Sequence, residues 1–356
     1  MKILLCERNF SGHRRIYLQW LSKIDGPEFF SFAPENTGFP EDHFYRFQTD
    51  LPLKSFKSYA AWVRQIRQIV KQNRIDVVHI LDGDSLMRCF GAGLHSLGCD
   101  RVIITYHNFY AGTARRISYR LMNSGRRHTC VVHSEALRRQ MKAAGVKNVE
   151  HCEYPAFEFD NFAELNGVRC KMDFQLQPDV PVIGIIGGIS SYKNIIPFLR
   201  ILQKSDRDFQ LLMLGRLTDV TEQAIRDATE PYRQKVHCMF RPLTDEEYKS
   251  GIAASDIIYC IYRPDFNGAS GPLTDGVCCR KMILACSHGT LGDITARHHL
   301  GMTADVSDEA DILQKTETAL SRVSALDFQY DKKAESYRNQ LNPAHFLETY
   351  KKIYES

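Results

Sequence analysis

Long apolar runs are absent from this 356-residue sequence, and no window reaches the roughly 18 uninterrupted apolar residues that a transmembrane helix requires. The first residues, MKILLCERNF, turn polar at Glu7, so they do not form the apolar segment of a secretory signal. No Cys-x-x-Cys pair occurs, which disfavours a zinc site or a disulfide framework. These absences predict a cytosolic protein whose cysteines are reduced.

The composition is that of a soluble globular protein, with 44% hydrophobic and 25% charged residues. The chain is longer than one hydrophobic core usually supports, so two domains are expected. Its eleven cysteines are irregularly spaced. Burial as free thiols is predicted for the six that lie in or beside apolar runs, namely Cys6, Cys130, Cys260, Cys278, Cys279 and Cys286.

Charge is unevenly distributed along the chain, although the formal net charge is only +4. Residues 1–150 contain 23 Lys and Arg against 13 Asp and Glu, whereas residues 151–356 contain 23 against 29. Part of the basic excess is one group of arginines: Arg115, Arg116, Arg120, Arg126 and Arg127.

Apolar side chains alternate with these arginines, at Ile117, Tyr119, Leu121 and Met122. Such a mixture on one helix suits the surface of an anionic membrane, and a solvated basic face is the alternative. No nucleic-acid recognition motif accompanies the charge, so no nucleic-acid partner is expected.

Short apolar runs alternate with segments of helical period, which predicts an α/β fold with parallel sheets and crossover helices. In the first half, strands are predicted at 2–6, 29–33, 76–81, 101–106, 129–133 and 149–154. Helices are predicted at 13–23, 56–73, 84–96, 111–124 and 134–144, the last of them closed by Gly145.

An irregular, acidic segment at 154–181 is interpreted as a linker, after which the alternation restarts. Strands are predicted at 182–187, 209–215, 235–240, 256–262 and 282–286, with helices from Ile195, after Thr218 and from Asp245. The sequence therefore predicts two doubly wound, Rossmann-like domains, at 1–165 and 175–342. Residues 343–356 have a helical period and are predicted to cross back to the first domain.

The stretch NGASGPLTDGVCCRKMILAC, residues 267–286, places a glycine-rich turn and a short helix between two strands. A helix starting at Pro272 leaves the backbone N–H groups from Ser270 to Thr274 available for a phosphate. Gly268 and Gly271 allow a ligand to approach closely. Asp275, predicted in the first turn, can accept hydrogen bonds from ribose hydroxyls or can merely complement the helix dipole.

This stretch resembles the retaining group 1 glycosyltransferases of the GT-B fold, which read E-G-F-G-x-P-x-x-E here. Gly268, Pro272 and Asp275 match that pattern, and Asp293 in TLGDI lies at a usual acidic position. The resemblance implies two domains whose strands face one cleft, with nucleotide-sugar binding to the second domain. Its donor site would include Ser270, Gly271, Leu273 and Thr274.

Two departures from the family pattern stand out. Asn267 replaces the family's first glutamate, which contacts the donor sugar, and Gly188 replaces an arginine of G-R-x-x-x-x-K-G. Lys193 matches the lysine of that motif, which neutralises the donor diphosphate. Arg216 and Arg263 lie at strand ends and could supply the missing charge, with Arg263 favoured because it adjoins the donor loop.

The first domain is expected to contribute three further features. The loop NFSGHRR contains Gly12 and His13, which the resemblance places beside the donor phosphates and the acceptor. His107 ends a predicted strand, where it either approaches the reacting centre or is a satisfied turn residue. The DGD sequence at 82–84 either binds acceptor hydroxyls or caps a helix.

The resemblance implies transfer of a sugar, with retention, from a UDP- or GDP-linked donor to a hydroxyl acceptor. If the basic segment contacts a membrane, that acceptor could be linked to a lipid. No cofactor and no metal ligand are expected, so Lys, Arg and helix N-termini would meet the charge of the leaving diphosphate. His107, Lys193 and Asn267 are the predicted catalytic residues. The alternatives are a catalytically weak homologue that acts as a partner subunit, and a GT-B epimerase.

Overall fold

Within residues 1–10, 14–125, 127–266 and 268–356, which a computed structural model describes, the strands form two parallel sheets of seven and six strands. One sheet belongs to a unit of residues 1–154 and 343–356, and the other to a unit of residues 155–342. The predicted α/β class, with two doubly wound sheets, is confirmed.

The first unit contains these elements in chain order: β1 (Lys2–Cys6), α1 (Arg14–Leu21), β2 (Glu28–Ala33), β3 (Phe44–Arg46), α2 (Phe56–Asn73), β4 (Val77–Ile80), β5 (Arg101–Tyr106), α3 (Thr113–Met122), β6 (His128–Val132), α4 (Glu135–Ala143) and β7 (Val149–His151). Its strand order is β3-β2-β1-β4-β5-β6-β7. Because right-handed crossovers reverse direction between β1 and β4, helices cover both faces, and most residues of the central strands are buried.

The second unit continues with α5 (Phe159–Ala163), α6 (Gly167–Asp173), β8 (Val182–Ile186), α7 (Ile195–Leu202), β9 (Gln210–Leu214), α8 (Glu222–Thr229), β10 (Val236–Met239), α9 (Asp245–Ala254), β11 (Ile257–Cys260), α10 (Gly271–Cys278), β12 (Met282–Cys286), α11 (Gly289–Arg297), β13 (Gly301–Ala304), α12 (Glu309–Ser324) and α13 (Lys332–Gln340). Its strand order, β10-β9-β8-β11-β12-β13, again reverses beside the first strand of the unit. A final helix, α14 (Pro343–Glu355), belongs to the first unit.

Two of the predicted segments are wrong. Residues 84–96 form two short 3-10 helices, because Gly91 and Gly93 between them adopt positive φ and end any regular helix. The predicted linker at 154–181 contains α5 and α6, since Phe159 and Phe162 bury apolar surface in the core of the second unit. Gly145 follows α4 with φ of +91°, as predicted for its C-terminus.

The sequence patterns did not predict several short or polar helices and strands. The strands β3 and β13 contain three and four residues, too few to show an apolar run. Helices α12 and α13 were not predicted, because most of their residues are polar and their apolar faces are narrow. All eleven cysteines are free thiols, and of the six predicted to be buried only Cys279 is half-buried.

A buried polar network attaches α14 to the first unit. His79 on β4 hydrogen-bonds Tyr354 through Nδ1 at 2.7 Å and Thr105 through Nε2 at 2.8 Å. Thr105 Oγ1 lies 3.1 Å from the Tyr350 hydroxyl, which in turn hydrogen-bonds Tyr17. Tyr350 and Tyr354 are four residues apart, so one face of α14 supplies both hydroxyls.

The C-terminus of α14 is held by a cation. The Arg101 guanidinium donates to the carbonyl oxygens of Tyr354 and Ile353 at 2.9 and 2.8 Å. These carbonyls have no partner inside the helix, and a positive charge at this end complements the helix dipole. The helix is therefore anchored both by its face and by its end.

We expect Tyr354→Phe to lower the free energy of unfolding by about 1–3 kcal/mol at neutral pH, because it leaves His79 Nδ1 buried without its partner. Chemical denaturation would measure the loss against Lys351→Ala, a change at an exposed position on the same helix. Burial lowers the pKa of His79 from 6.5 to about 3. The neutral imidazole therefore contributes stability above pH 6.5 that is lost as the pH falls toward 3. Equal losses for the two variants would contradict this role for the network.

Candidate active site

The start of α10 differs in detail from the prediction. The helix begins at Gly271, preceded by Ser270 in extended conformation without a side-chain capping bond. Asp275 is therefore the fifth helical residue and lies beyond the first turn, so its predicted first-turn position is wrong. The Thr274 N–H donates to the Ser270 carbonyl at 3.1 Å and is not free for a phosphate. Pro272 has no N–H, which leaves Gly271 and Leu273 as the first-turn donors without a carbonyl partner inside the helix.

Asp275 is positioned by a tyrosine that the sequence did not single out. Its Oδ2 accepts a hydrogen bond of 2.7 Å from the Tyr248 hydroxyl on α9. Burial raises the pKa of Asp275 to about 7, and the hydrogen bond from Tyr248 opposes that rise. Since a position beyond the first turn gains little from the helix dipole, the dipole interpretation of this carboxylate is weakened.

Gly187, directly after β8, marks the point where these groups converge. A Cβ built on it would lie 3.8 Å from Pro272 Cγ, 3.9 Å from Tyr248 Cε2 and 4.0 Å from Lys193 Nζ. The three side chains therefore surround one glycine, whose φ of +87° suits a residue without a side chain. Residues from α9, α10 and the β8–α7 turn thus form one cluster, which we call the Gly187 cluster.

Lys193 is the cation of the Gly187 cluster. It is buried, and its Nζ donates to the Ile186 carbonyl at 3.0 Å and lies 5.6 Å from the centre of the Tyr262 ring. In the described part of the chain no carboxylate lies within 4 Å of it. Burial lowers the pKa of Lys193 to about 8. An anionic ligand would compensate this buried charge.

The other predicted donor-site residues differ from one another in exposure and in contacts. Gly188 is exposed, and a Cβ there would meet no atom within 4 Å, so packing does not require glycine at this position. Arg263 is half exposed and pairs with Asp265 at 3.4 Å, while Arg216 is exposed. The Ser270 hydroxyl lies 3.2 Å from that of Tyr262. The side chains of Leu273 and Thr274 are buried in the second unit, Gly268 is buried, and Asp293 forms an ion pair with Arg297.

Three predicted residues lie outside the described part of the chain: Gly12, His13 and Asn267. The same holds for Arg126 of the basic group.

In the first unit, His107 directly follows β5 and is held by two hydrogen bonds. Its Nε2 donates to the Leu81 carbonyl at 2.9 Å, and its backbone N–H donates to Asp84 Oδ2 at 2.8 Å. These bonds fit the interpretation as a satisfied turn residue, and they also fix the ring beside His133, with centroids 5.1 Å apart. A catalytic role for His107 stays a prediction.

The DGD sequence does not cap a helix through a side chain. Gly83 occupies the N-cap position, and Asp84 instead accepts from the backbone N–H groups of His107 and Asn108. Burial and the neighbouring Asp82 raise the pKa of Asp84 to about 8. Asp82 is buried, with Oδ2 2.6 Å from Arg14 Nη1. The described residues contain no group of three or more His, Cys, Asp or Glu side chains arranged to hold a metal ion.

The predicted basic face on α3 is narrower than expected. Tyr119 and Met122 are fully buried in the core, so they cannot contact a membrane. Arg115 lines a cavity of the first unit, and Arg127 pairs with Asp100 at 3.1 Å. The exposed residues of α3 include Arg116, Ile117, Arg120 and Leu121.

Sequence reasoning missed Tyr248 and the charged residues Arg8 and Arg14. Tyr248 gave no signal, because a tyrosine within a helix ordinarily indicates core packing. Arg8 was signalled by position alone: it follows β1, and ligand-binding residues of doubly wound sheets follow the carboxyl ends of strands.

Comparison with known proteins gives concordant results. Residues 21–151 match the family model described as Glycosyltransferase Family 4. The whole chain is similar to a glycosyltransferase structure from Rickettsia africae, with a TM-score of 0.74 and 17% identity, covering 99% of this chain and 97% of that one. Anabaena HepE in complex with UDP and glucose gives a TM-score of 0.68 and 13% identity, covering 100% and 99%. WaaG, a glycosyltransferase involved in lipopolysaccharide biosynthesis, gives 0.65 and 12%, covering 97% and 98%. No curated protein matches the sequence.

The chain therefore has the GT-B fold of glycosyltransferases. Residues 21–151 match the Glycosyltransferase Family 4 model, and the GT-B fold that the resemblance implied is confirmed.

We expect Asp275→Asn to weaken binding of a UDP- or GDP-sugar while leaving the melting temperature nearly unchanged, because the amide cannot accept from two hydroxyls with a full negative charge. The raised pKa of Asp275, about 7, predicts that wild-type affinity gains a contribution as the pH rises from 6 to 8 and the carboxylate ionises. That contribution should be missing in the variant.

Calorimetric titration at pH 6 and pH 8 measures the loss of affinity and its dependence on pH, and thermal denaturation measures the melting temperature. Asp227→Asn, at an exposed position on α8, is the matched control. If Asp275→Asn and the control bind the nucleotide sugar equally well at both pH values, Asp275 does not contact the ligand.

Proposed function

We propose that this protein transfers a sugar from a UDP- or GDP-linked donor to a hydroxyl acceptor. The observation that supports this most is the Gly187 cluster. It contains a buried lysine that has no carboxylate partner among the described residues, together with the first turn of α10, and it adjoins Asp275, which Tyr248 orients. A buried cation beside a helix N-terminus suits a diphosphate, and a nearby carboxylate suits the ribose hydroxyls. HepE, which has the same fold, has been crystallised with UDP-glucose.

In this proposal each group has a defined task. Lys193 and the N–H groups of Gly271 and Leu273 stabilise the negative charge that develops on the departing diphosphate. Asp275 binds the ribose, Asn267 the donor sugar, and Arg263 the phosphates from the exposed side of the loop. His107, together with Gly12 and His13, belongs to the acceptor side. Retention of the anomeric configuration is part of the proposal and follows from the family resemblance.

The physiological product is proposed to be a cell-surface polysaccharide or glycolipid. WaaG, with which this chain shares the fold, is a glycosyltransferase of lipopolysaccharide biosynthesis. We further propose a cytoplasmic protein that contacts the inner face of an anionic membrane, and no metal requirement.

A second candidate is a catalytically weak homologue that binds nucleotide sugars as a partner subunit. One observation favours it: Gly188 stands where the family has an arginine, although the space around it is open. The loss of that arginine is therefore not imposed by packing. Tight binding of nucleotide sugars without turnover of any donor would favour this candidate.

The proposed chemistry is tested by turnover of a panel of UDP- and GDP-sugars, including slow donor hydrolysis. Lys193→Ala should reduce turnover on the order of 100-fold, the scale expected for loss of one group that stabilises transition-state charge. Lys204→Ala, which removes an exposed lysine, is the control and should retain wild-type activity. Chelation with EDTA should leave activity intact. Complete inactivation by EDTA that magnesium or manganese reverses, or full activity in Lys193→Ala, would refute these roles.

Contact with membranes is proposed for the exposed face of α3. Arg116 and Arg120 are one helical turn apart, as are Ile117 and Leu121, whose exposures are 45% and 46%. Basic residues near an anionic surface contribute roughly 1 kcal/mol each, and the two apolar side chains can enter the interface. In the described ranges no helix is both long enough and apolar enough to span a bilayer.

We expect the wild type to co-sediment with vesicles in proportion to their anionic lipid content, and less so at higher salt. The double change Arg116→Gln and Arg120→Gln should weaken this binding by about tenfold or more, if each arginine contributes roughly 1 kcal/mol. Arg138→Gln and Arg139→Gln on α4 serve as a charge-matched control. Binding that is insensitive to anionic lipid, or equal in the two double variants, would show that α3 is a solvated face.

A further inference from the structure

Helix α6 carries two apolar side chains on its outer side. Val168 and Met172 are 54% and 63% exposed and lie one helical turn apart, so they form a single apolar stripe. Within the described chain, the other large apolar side chains that are more than half exposed are Phe56 and Leu326, which lie elsewhere. Neighbouring apolar side chains with this exposure can mark a site of protein contact.

A charged stripe lies beside the apolar stripe. Arg169 and Asp173 are exposed and are also one turn apart. Among the described residues, neither of them has an ion-pair partner within 4 Å. Lys171, the other cation of the helix, is buried and pairs with Asp256 at 2.7 Å. The outer side of α6 therefore carries one cation and one anion that the described chain does not neutralise.

These two charges lie at unfavourable ends of the helix. Arg169 is in the first turn, where the helix dipole disfavours a cation, and Asp173 is the last residue, where the dipole disfavours an anion. The opposite placement would stabilise the isolated helix. A local arrangement that costs stability is typical of residues with a functional task, such as contact with a partner.

A second copy of this chain has the surface that complements both stripes. A two-fold axis across the middle of α6 makes the two copies of the helix antiparallel and turns like stripes toward each other. Val168 of each copy then meets Met172 of the other. In the same arrangement Arg169 of each copy meets Asp173 of the other. In a parallel pair, the apolar stripe of one copy would instead face the charged stripe of the other.

From this self-complementary pattern we infer that the protein forms a symmetric dimer through antiparallel packing of α6. The centre of the contact consists of four apolar side chains, two from each copy, so the dimer belongs to the small, reversible class of interfaces. Lys171 pairs with Asp256, which directly precedes β11, so α6 lies at the amino ends of the strands. The Gly187 cluster lies at the opposite edge of this sheet, and the dimer therefore leaves it accessible.

Sedimentation velocity of the full chain between about 1 and 100 µM measures the equilibrium between monomer and dimer, and the wild type should shift toward the dimer as its concentration rises. Arg169→Asp and Asp173→Arg should each raise the dissociation constant at least about tenfold, because both charge contacts of the symmetric dimer change from attraction to repulsion. Each substitution suits the helix dipole, so the melting temperature should not fall. Arg64→Asp, at an exposed position on α2, is the control and should dimerise as the wild type does.

A mixture of the two variants tests the antiparallel arrangement itself, because opposite charges meet again only between unlike chains. Equimolar Arg169→Asp and Asp173→Arg should form a heterodimer at concentrations at which each variant alone is monomeric. A wild type that stays monomeric up to about 100 µM would overturn the inference. Single variants that dimerise like the wild type, or a mixture that stays monomeric, would overturn it as well.

Discussion

Parallel pairing of every strand is the constraint on which the rest of this structure depends. Because parallel strands end at the same edge of a sheet, residues far apart in the chain become neighbours there. In the first unit that edge brings Arg8, Asp82 and His107 together after β1, β4 and β5. In the second it gathers Gly187 and Lys193 after β8, with α10 following β11. Each candidate site is therefore a consequence of sheet topology.

Both of these edges contain buried charged groups. Glu7, Asp82 and Arg8 are buried near the carboxyl ends of β1 and β4. Burial, together with repulsion from Asp82, raises the pKa of Glu7. Lys193 and Asp275 occupy the corresponding edge of the other sheet, where burial lowers the pKa of one and raises that of the other. Burying an ionisable group that opposite charges or hydrogen bonds do not fully compensate lowers the stability of the fold. This loss of stability is common at ligand sites.

Stability is supplied elsewhere, by elements that the candidate sites do not use. The polar network of His79, Thr105 and the α14 tyrosines is fully hydrogen-bonded at both imidazole nitrogens. Burial lowers the pKa of His79 and keeps it neutral, and its hydrogen bonds help to fix α14 on the sheet. Asp84 is an exception, because it belongs to the candidate DGD sequence and also holds the loop that follows β5 through two backbone N–H groups.

The amino-acid sequence by itself determined the fold class, most strand positions, α2 and the return of α14, because apolar period and length are local properties that survive without tertiary contacts. It also predicted the turn and short helix around Asp275, since glycine and proline at fixed spacing form a local pattern. Only the tertiary structure decided that Tyr248 orients Asp275, that Lys193 is buried, and that Arg8 and Asp82 share a cavity. These facts depend on which strands are neighbours and on how closely helices pack around Gly187, and no local pattern in the sequence encodes either.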